Sequence, residues 1–129
     1  MTIKEALSKY KKIAVVGLSP DPGRPSFGVS KYMQSHGYEI IPVRPPGGEE
    51  ILGVKSVATL ADIKGPLEIV DVFRKSDAVP EIVDEAIGLK AKVLWLQEGV
   101  FHPIAEEKAR KAGLIVFSDL CILKEHAKI

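Results

Sequence analysis

Strands alternating with helices predict an α/β fold: a mostly parallel five-stranded sheet with helices on both faces. Three features carry this expectation. Short β-branched runs, apolar on both sides, recur along the chain; stretches at helical spacing separate them; glycines and prolines punctuate the junctions. The chain has 129 residues, 46% hydrophobic and 27% charged, which suits one folded domain, residues 1–129, with a core of its own.

Ile3, Ala6, Leu7 and Tyr10 recur at i, i+3, i+4 and i+7 and predict a short N-terminal helix. The run from Ile13 to Val16, closed by Gly17, reads as a buried parallel strand. After a Pro/Gly-rich loop, Leu18 to Pro25, helical spacing resumes at Ser26. Val29, Tyr32, Met33 and His36 share its face, and Gly37 is a natural stop. Tyr38 to Val43 is the second strand and runs into Arg44-Pro45-Pro46-Gly47-Gly48. A short strand is expected around Lys55 to Val57, then a capped helical turn at Thr59-Leu60-Ala61-Asp62. Glu68 to Phe73 is strand-like, and Val79, Ile82, Val83, Ala86 and Ile87 form one helical face. Lys92 to Leu96 predicts a buried strand, Pro103 to Ala112 a helix, Leu114 to Phe117 the last strand, and the tail from Leu120 a short helix.

Right-handed crossovers leave two doubly wound strand orders, the Rossmann-like and the flavodoxin-like. Either makes a three-layer Rossmann-like domain with its ligand crevice at the carboxyl ends of the strands, where the strand order reverses. Composition narrows the partners. Eighteen Lys+Arg against 17 Asp+Glu leave a net charge of +1, and the few aromatics are scattered, so neither a nucleic-acid surface nor a membrane patch is expected. The single cysteine, Cys121, cannot form an internal disulfide, the N-terminus lacks a signal-peptide core, and no run approaches the ~20 apolar residues of a membrane span. A cytoplasmic location follows as an expectation.

Chemistry is therefore sought just after each strand. The loop Gly17 to Ser26 leads into a helix N-terminus, whose free N–H groups and partial positive charge favour an anion. Gly17 lets a phosphate approach the backbone, Ser19 and Ser26 carry hydroxyls, and Arg24 offers a charge-assisted fork; Ser26 can instead serve only as the helix cap. A plain connection is the alternative, but eight Pro/Gly-rich residues exceed the usual two to six. Neither a Walker A motif nor a G-x-G-x-x-G fingerprint is present. An NAD site places an acid at the end of the second strand, whereas this chain places Arg44 there. That arginine fits an additional ribose phosphate, the 2′-phosphate of NADP or the 3′-phosphate of CoA, or is simply solvated. Phe73 offers a flat face to an adenine or packs; Arg74 and Lys75 lie beside the crevice; Gln97, Glu98 and Gly99 end the fourth strand, and Asp119 and Cys121 follow the last.

Taken together, Gly17-x-Ser19 with Arg24-Pro25-Ser26, Ile41-Pro42-Val43, Asp71-Val72-Phe73-Arg74, Leu94-Trp95-Leu96-Gln97 with Gly99, and Asp119-x-Cys121 with Glu125 resemble the small stand-alone CoA-binding proteins. These are similar to the N-terminal CoA-binding domain of the succinyl-CoA synthetase α subunit. The resemblance runs from about Lys12 to Glu125. It implies that CoA's nucleotide end is held at Gly17 to Ser26, with Ser19, Arg24, Pro25 and Ser26 near phosphates. It also implies that Val43, Arg44, Phe73 and Arg74 line the adenosine side, and it adds Gln97 and Gly99 to the site. Two positions depart from the pattern: relatives often carry a small polar residue at 44, and an arginine where Leu120 stands. Succinyl-CoA synthetases also need a second domain with a phosphorylated histidine, which a chain of this length is not expected to hold.

Catalytic motifs are absent. There is no nucleophile elbow and no His-Glu-x-x-His, and the Cys and His residues are wrongly spaced for zinc. His36 precedes a helix stop, His102 begins a helix and His126 lies in the tail. Cys121 near Glu125 and His126 is either a nucleophile or a small buried hydrophobe. The function expected is binding of coenzyme A or an acyl-CoA without catalysis. The alternatives are an NADP-dependent oxidoreductase, a partner-requiring acyl-CoA ligase component, and a ligand-free interaction domain.

Overall fold

The structure, a computed structural model, describes all 129 residues. Five parallel strands form the central sheet in the order β2-β1-β5-β6-β7: β1 (Lys12–Val16), β2 (Glu39–Val43), β5 (Ile69–Val72), β6 (Val93–Leu96) and β7 (Ile115–Phe117). Counting the parallel strands alone, this is the flavodoxin-like of the two doubly wound orders. The order reverses between β1 and β5, and a crevice is expected above their carboxyl ends.

Side chains alternate along each strand and split the interior into two cores. Ile13, Val15, Ile69, Val93 and Trp95 face α1 (Ile3–Lys9), α2 (Pro25–Ser35) and α5 (Ile122–Ala127). Ala14, Val16, Val70, Val72, Leu94 and Leu96 face α3 (Val79–Gly88) and α4 (Pro103–Lys111). The three layers read from the sequence are thus present. Trp95 is fully buried, and its Nε1 donates to the Leu120 carbonyl at 2.9 Å, tying β6 to the segment before α5. Trp95→Phe leaves that carbonyl without its donor and opens a small void. Urea unfolding is expected to read a loss of about 1–3 kcal/mol; an unchanged midpoint would show that water replaces the indole at no cost.

Two local expectations are corrected. In place of one strand at Lys55 to Val57, β3 (Glu50–Ile51) and β4 (Val54–Lys55) form an antiparallel hairpin, and Val57 makes a lone parallel bridge to Val43. Its turn residues Leu52 and Gly53 have φ of 54° and 75°, as a type I′ turn requires. Leu-Gly is not a recognised signal for that turn. Tertiary contacts hold it: Ile51 is buried, and Gln34 Nε2 donates to the Leu52 carbonyl at 2.9 Å. The second correction is that α2 begins at Pro25, so Arg24 occupies the cap position, without a side-chain cap, and Ser26 lies in the first turn.

Candidate functional site

A cleft of about 770 Å³ opens above the ends of β1, β5 and β6. Its geometry starts at Gly17. This residue has φ of +88°, and a Cβ placed on it would stand 2.6 Å from the Phe73 carbonyl oxygen, so only glycine fits. Around it the strand ends are tied together: Gly17 N–H donates to Val43 O at 3.1 Å, and Phe73 N–H donates to Val16 O at 2.9 Å.

The following loop is organised by its own side chains. Ser26 Oγ accepts from the Ser19 N–H at 3.0 Å, and Ser19 Oγ accepts from the Asp21 N–H at 3.1 Å. Asp21 Oδ1 accepts from the Gly23 N–H at 2.9 Å, an Asx-type turn. Both serine oxygens are thereby occupied as acceptors, while their hydroxyl protons stay free to donate. The N–H of Ser26, in the first turn of α2, finds no acceptor in the protein. Arg24, Arg74 and Lys75 also line the cleft, are exposed, and form no ion pair. An anion entering here meets unspent donors and uncompensated positive charge.

A smaller pocket of about 380 Å³ adjoins the cleft and shares Gly17, Arg44 and Arg74 with it. Val43, Leu60 and Ile82 supply apolar wall, and Glu81 and Glu85 stand at its α3 side. Burial, then the Glu81 charge, raises the Glu85 pKa.

At the floor of the cleft Gln97 is almost fully buried, and its Nε2 donates to Asp71 Oδ1 at 2.6 Å. Burial pushes the Asp71 carboxyl up to about 7, against the pull of that hydrogen bond. Cys121 also lines the cleft, as a buried free thiol.

Gly17, Ser19, Arg24, Pro25, Ser26, Arg44, Phe73, Arg74 and Gln97 all come together around the cleft. Val43 and Gly99 do not. Val43 is packed in the core and reaches only the smaller pocket, because its side chain alternates away from the loop face. Gly99 stands outside, its N–H donating to Asp119 Oδ1 at 2.7 Å; it shapes the β6 turn. The wall also holds Lys75, Glu98 and Cys121, which sequence reasoning places at strand ends without assigning them to the site, and Pro20, Asp21, Val29 and Val100, which it does not place there. Asp21, Lys75, Glu98 and Cys121 carry a signal in following strand ends; Pro20, Val29 and Val100 carry none.

Two of the three histidines, His36 and His126, meet away from the cleft. His36 stacks on Tyr32 at 4.0 Å, and His126 Nδ1 shares a 2.9 Å hydrogen bond with Tyr32 Oη, whereas His102 Nδ1 caps α4 by accepting from the Ala105 N–H. No group of three or more His, Cys, Asp or Glu residues is arranged to hold a metal ion. No helix is long and apolar enough to cross a membrane.

Strand order, layering and the cleft at the reversal define a Rossmann-like α/β domain. The chain belongs to the CoA binding domain family, which matches residues 11–127. It is similar to the protein YneT of Bacillus subtilis (strain 168), at 48% identity over 125 residues covering 97% of this chain and 92% of that one. A solved structure from Thermus thermophilus, cell-free ID.343, superposes with a TM-score of 0.93 at 39% identity, covering 99% and 98% of the two chains. The alpha subunit of ADP-forming acetate–CoA ligase I from Pyrococcus furiosus is 31% identical over 108 residues, which cover 80% of this chain and only 23% of that subunit. The chain therefore corresponds to less than a quarter of the ligase subunit.

Proposed function

We propose that the chain binds coenzyme A or an acyl-CoA through its nucleotide phosphates at the carboxyl ends of the strands, without catalysis of its own, in the cytoplasm. One observation carries this reading. The cleft at the strand reversal joins free donors of the Ser19–Ser26 loop to three cations without ion-pair partners, Arg24, Arg74 and Lys75. Membership of the CoA binding domain family favours CoA among phosphate-bearing ligands. An arginine rather than an acid after β2 disfavours NAD.

Thermal unfolding with CoA, dephospho-CoA, NADP, NAD and FMN tests it. CoA at 100 times its Kd adds about 2.7 kcal/mol of stability. The expected ranking puts CoA first and dephospho-CoA below it; a panel led by NADP or FMN would replace the assignment. Within the same site, Arg24→Ala is expected to weaken CoA binding by about 1.5–3 kcal/mol, the range for hydrogen bonds to charged groups. Wild-type affinity in a titration of that variant would remove Arg24 from the site.

The likeness to an acetate–CoA ligase subunit favours a second reading, a ligase component completed by a partner protein. Its test is CoA-ester formation when this chain is added to a ligase subunit stripped of its own CoA-binding segment. No product over the subunit alone would dismiss it.

A further inference from the structure

We propose that Arg44 reads the ribose phosphate of the bound nucleotide, and that Glu49 is the partner it exchanges for that phosphate. The inference rests on the nucleotide reading of the cleft and deepens it to specificity.

Three observations place Arg44 for this task. Its backbone is fixed at the end of β2, where its N–H donates to Val57 O at 2.8 Å. Its side chain stands at the seam of the two pockets and lines both, beside Gly17 and Arg74. A nucleotide with its pyrophosphate on the Ser19–Ser26 loop and its base toward the apolar wall of Val43, Leu60 and Ile82 passes Arg44 at the ribose. In the free protein Arg44 Nε lies 3.4 Å from Glu49 Oε1, with the side chains 43% and 53% exposed.

That contact is a weak competitor. An exposed pair is screened by solvent, and 3.4 Å is longer than a charge-assisted hydrogen bond. It engages one edge of the guanidinium with a single carboxylate oxygen. A phosphate monoester brings nearly two negative charges and three acceptor oxygens, and its geometry matches the guanidinium fork. A nucleotide with a ribose phosphate therefore draws Arg44 from Glu49. One without it offers nothing at the seam, and Arg44 stays with the carboxylate. Glu49 thus sets the cost of using Arg44: each ligand with a ribose phosphate must displace it, which lowers its affinity by the modest strength of an exposed pair.

Calorimetric titration of the full chain with CoA, dephospho-CoA, 3′,5′-ADP, NADP and NAD tests the pair. Arg44→Ala is expected to lose about ten- to a hundredfold in affinity for CoA and 3′,5′-ADP while leaving dephospho-CoA within about twofold. Glu49→Gln is expected to tighten CoA about two- to fivefold, without change for dephospho-CoA. Equal losses for CoA and dephospho-CoA in Arg44→Ala, or no loss for either, would overturn the inference while leaving the CoA reading standing. Weaker CoA binding in Glu49→Gln would overturn the exchange, making Glu49 a support for Arg44. An Arg44-dependent preference for NADP over NAD, with no binding of CoA, would keep the ribose-phosphate role and sink the CoA reading. Binding of none of the five overturns both.

Discussion

Asp71→Asn raises the unfolding free energy at pH 8 by up to about 4 kcal/mol, and the gain fades to nothing below about pH 4. The carboxyl is buried in β5, and loss of water pushes its pKa to about 7, against an ordinary 3.8. A folded pKa above the unfolded one means that the native state keeps a proton which the unfolded chain releases between those two values. Stability therefore falls as pH rises from about 3.8 to about 7, and levels off above. The about 4 kcal/mol is that pKa difference converted at 1.36 kcal/mol per pH unit. Asparagine does not titrate, and its Oδ1 can still accept from Gln97 Nε2, the 2.6 Å bond of the wild type. Its own NH₂ needs an acceptor, which makes the figure an upper limit. Urea unfolding of both proteins at pH 4, 6 and 8 measures the effect. A constant difference across the series would show that Asp71 does not titrate in this window.

Gly17→Ala is expected to cost about 2–4 kcal/mol and to abolish CoA binding. The left-handed φ of +88° alone accounts for about 1–2 kcal/mol in a residue with a Cβ. The remainder comes from the 2.6 Å approach to the Phe73 carbonyl, a main-chain atom. Phe73 cannot retreat without breaking its bond to Val16, and Gly17 cannot move without losing Val43. The Arg74 side chain, 3.1 Å from the new methyl, is pushed from its place on the cleft. Gly28→Ala is the control: it lies within α2, no heavy atom stands within 4 Å of where its methyl would sit, and its φ is not positive. That change should gain up to about 1 kcal/mol. Unfolding midpoints and a CoA titration for both variants decide the matter. Wild-type stability and binding in Gly17→Ala would show that the strand ends yield freely.

Much of the fold is legible in the sequence, because the parallel strands are continuous apolar runs and α3 has a clean helical face. Ile13 to Gly17 could hardly be anything but a buried strand ending in a turn. The β3–β4 hairpin is not legible, because Leu52 adopts a positive φ that its own side chain disfavours. Burial of Ile51 and the bond from Gln34 hold it there. At the site, the loop after β1 announces itself through length and composition. The outcome for Val43 and Gly99 depends on which way each points, a one-residue matter of pleat and turn.

By itself the sequence determined the class of protein, the place of its crevice and many of the side chains that line it, since periodicity and turn residues act locally. Only the tertiary structure decided the strand order, the burial that perturbs Asp71, and the meeting of Arg44 with two pockets and Glu49. Those depend on groups distant along the chain, such as Asp71 and Gln97, being brought together without water, and no local pattern encodes that removal of solvent.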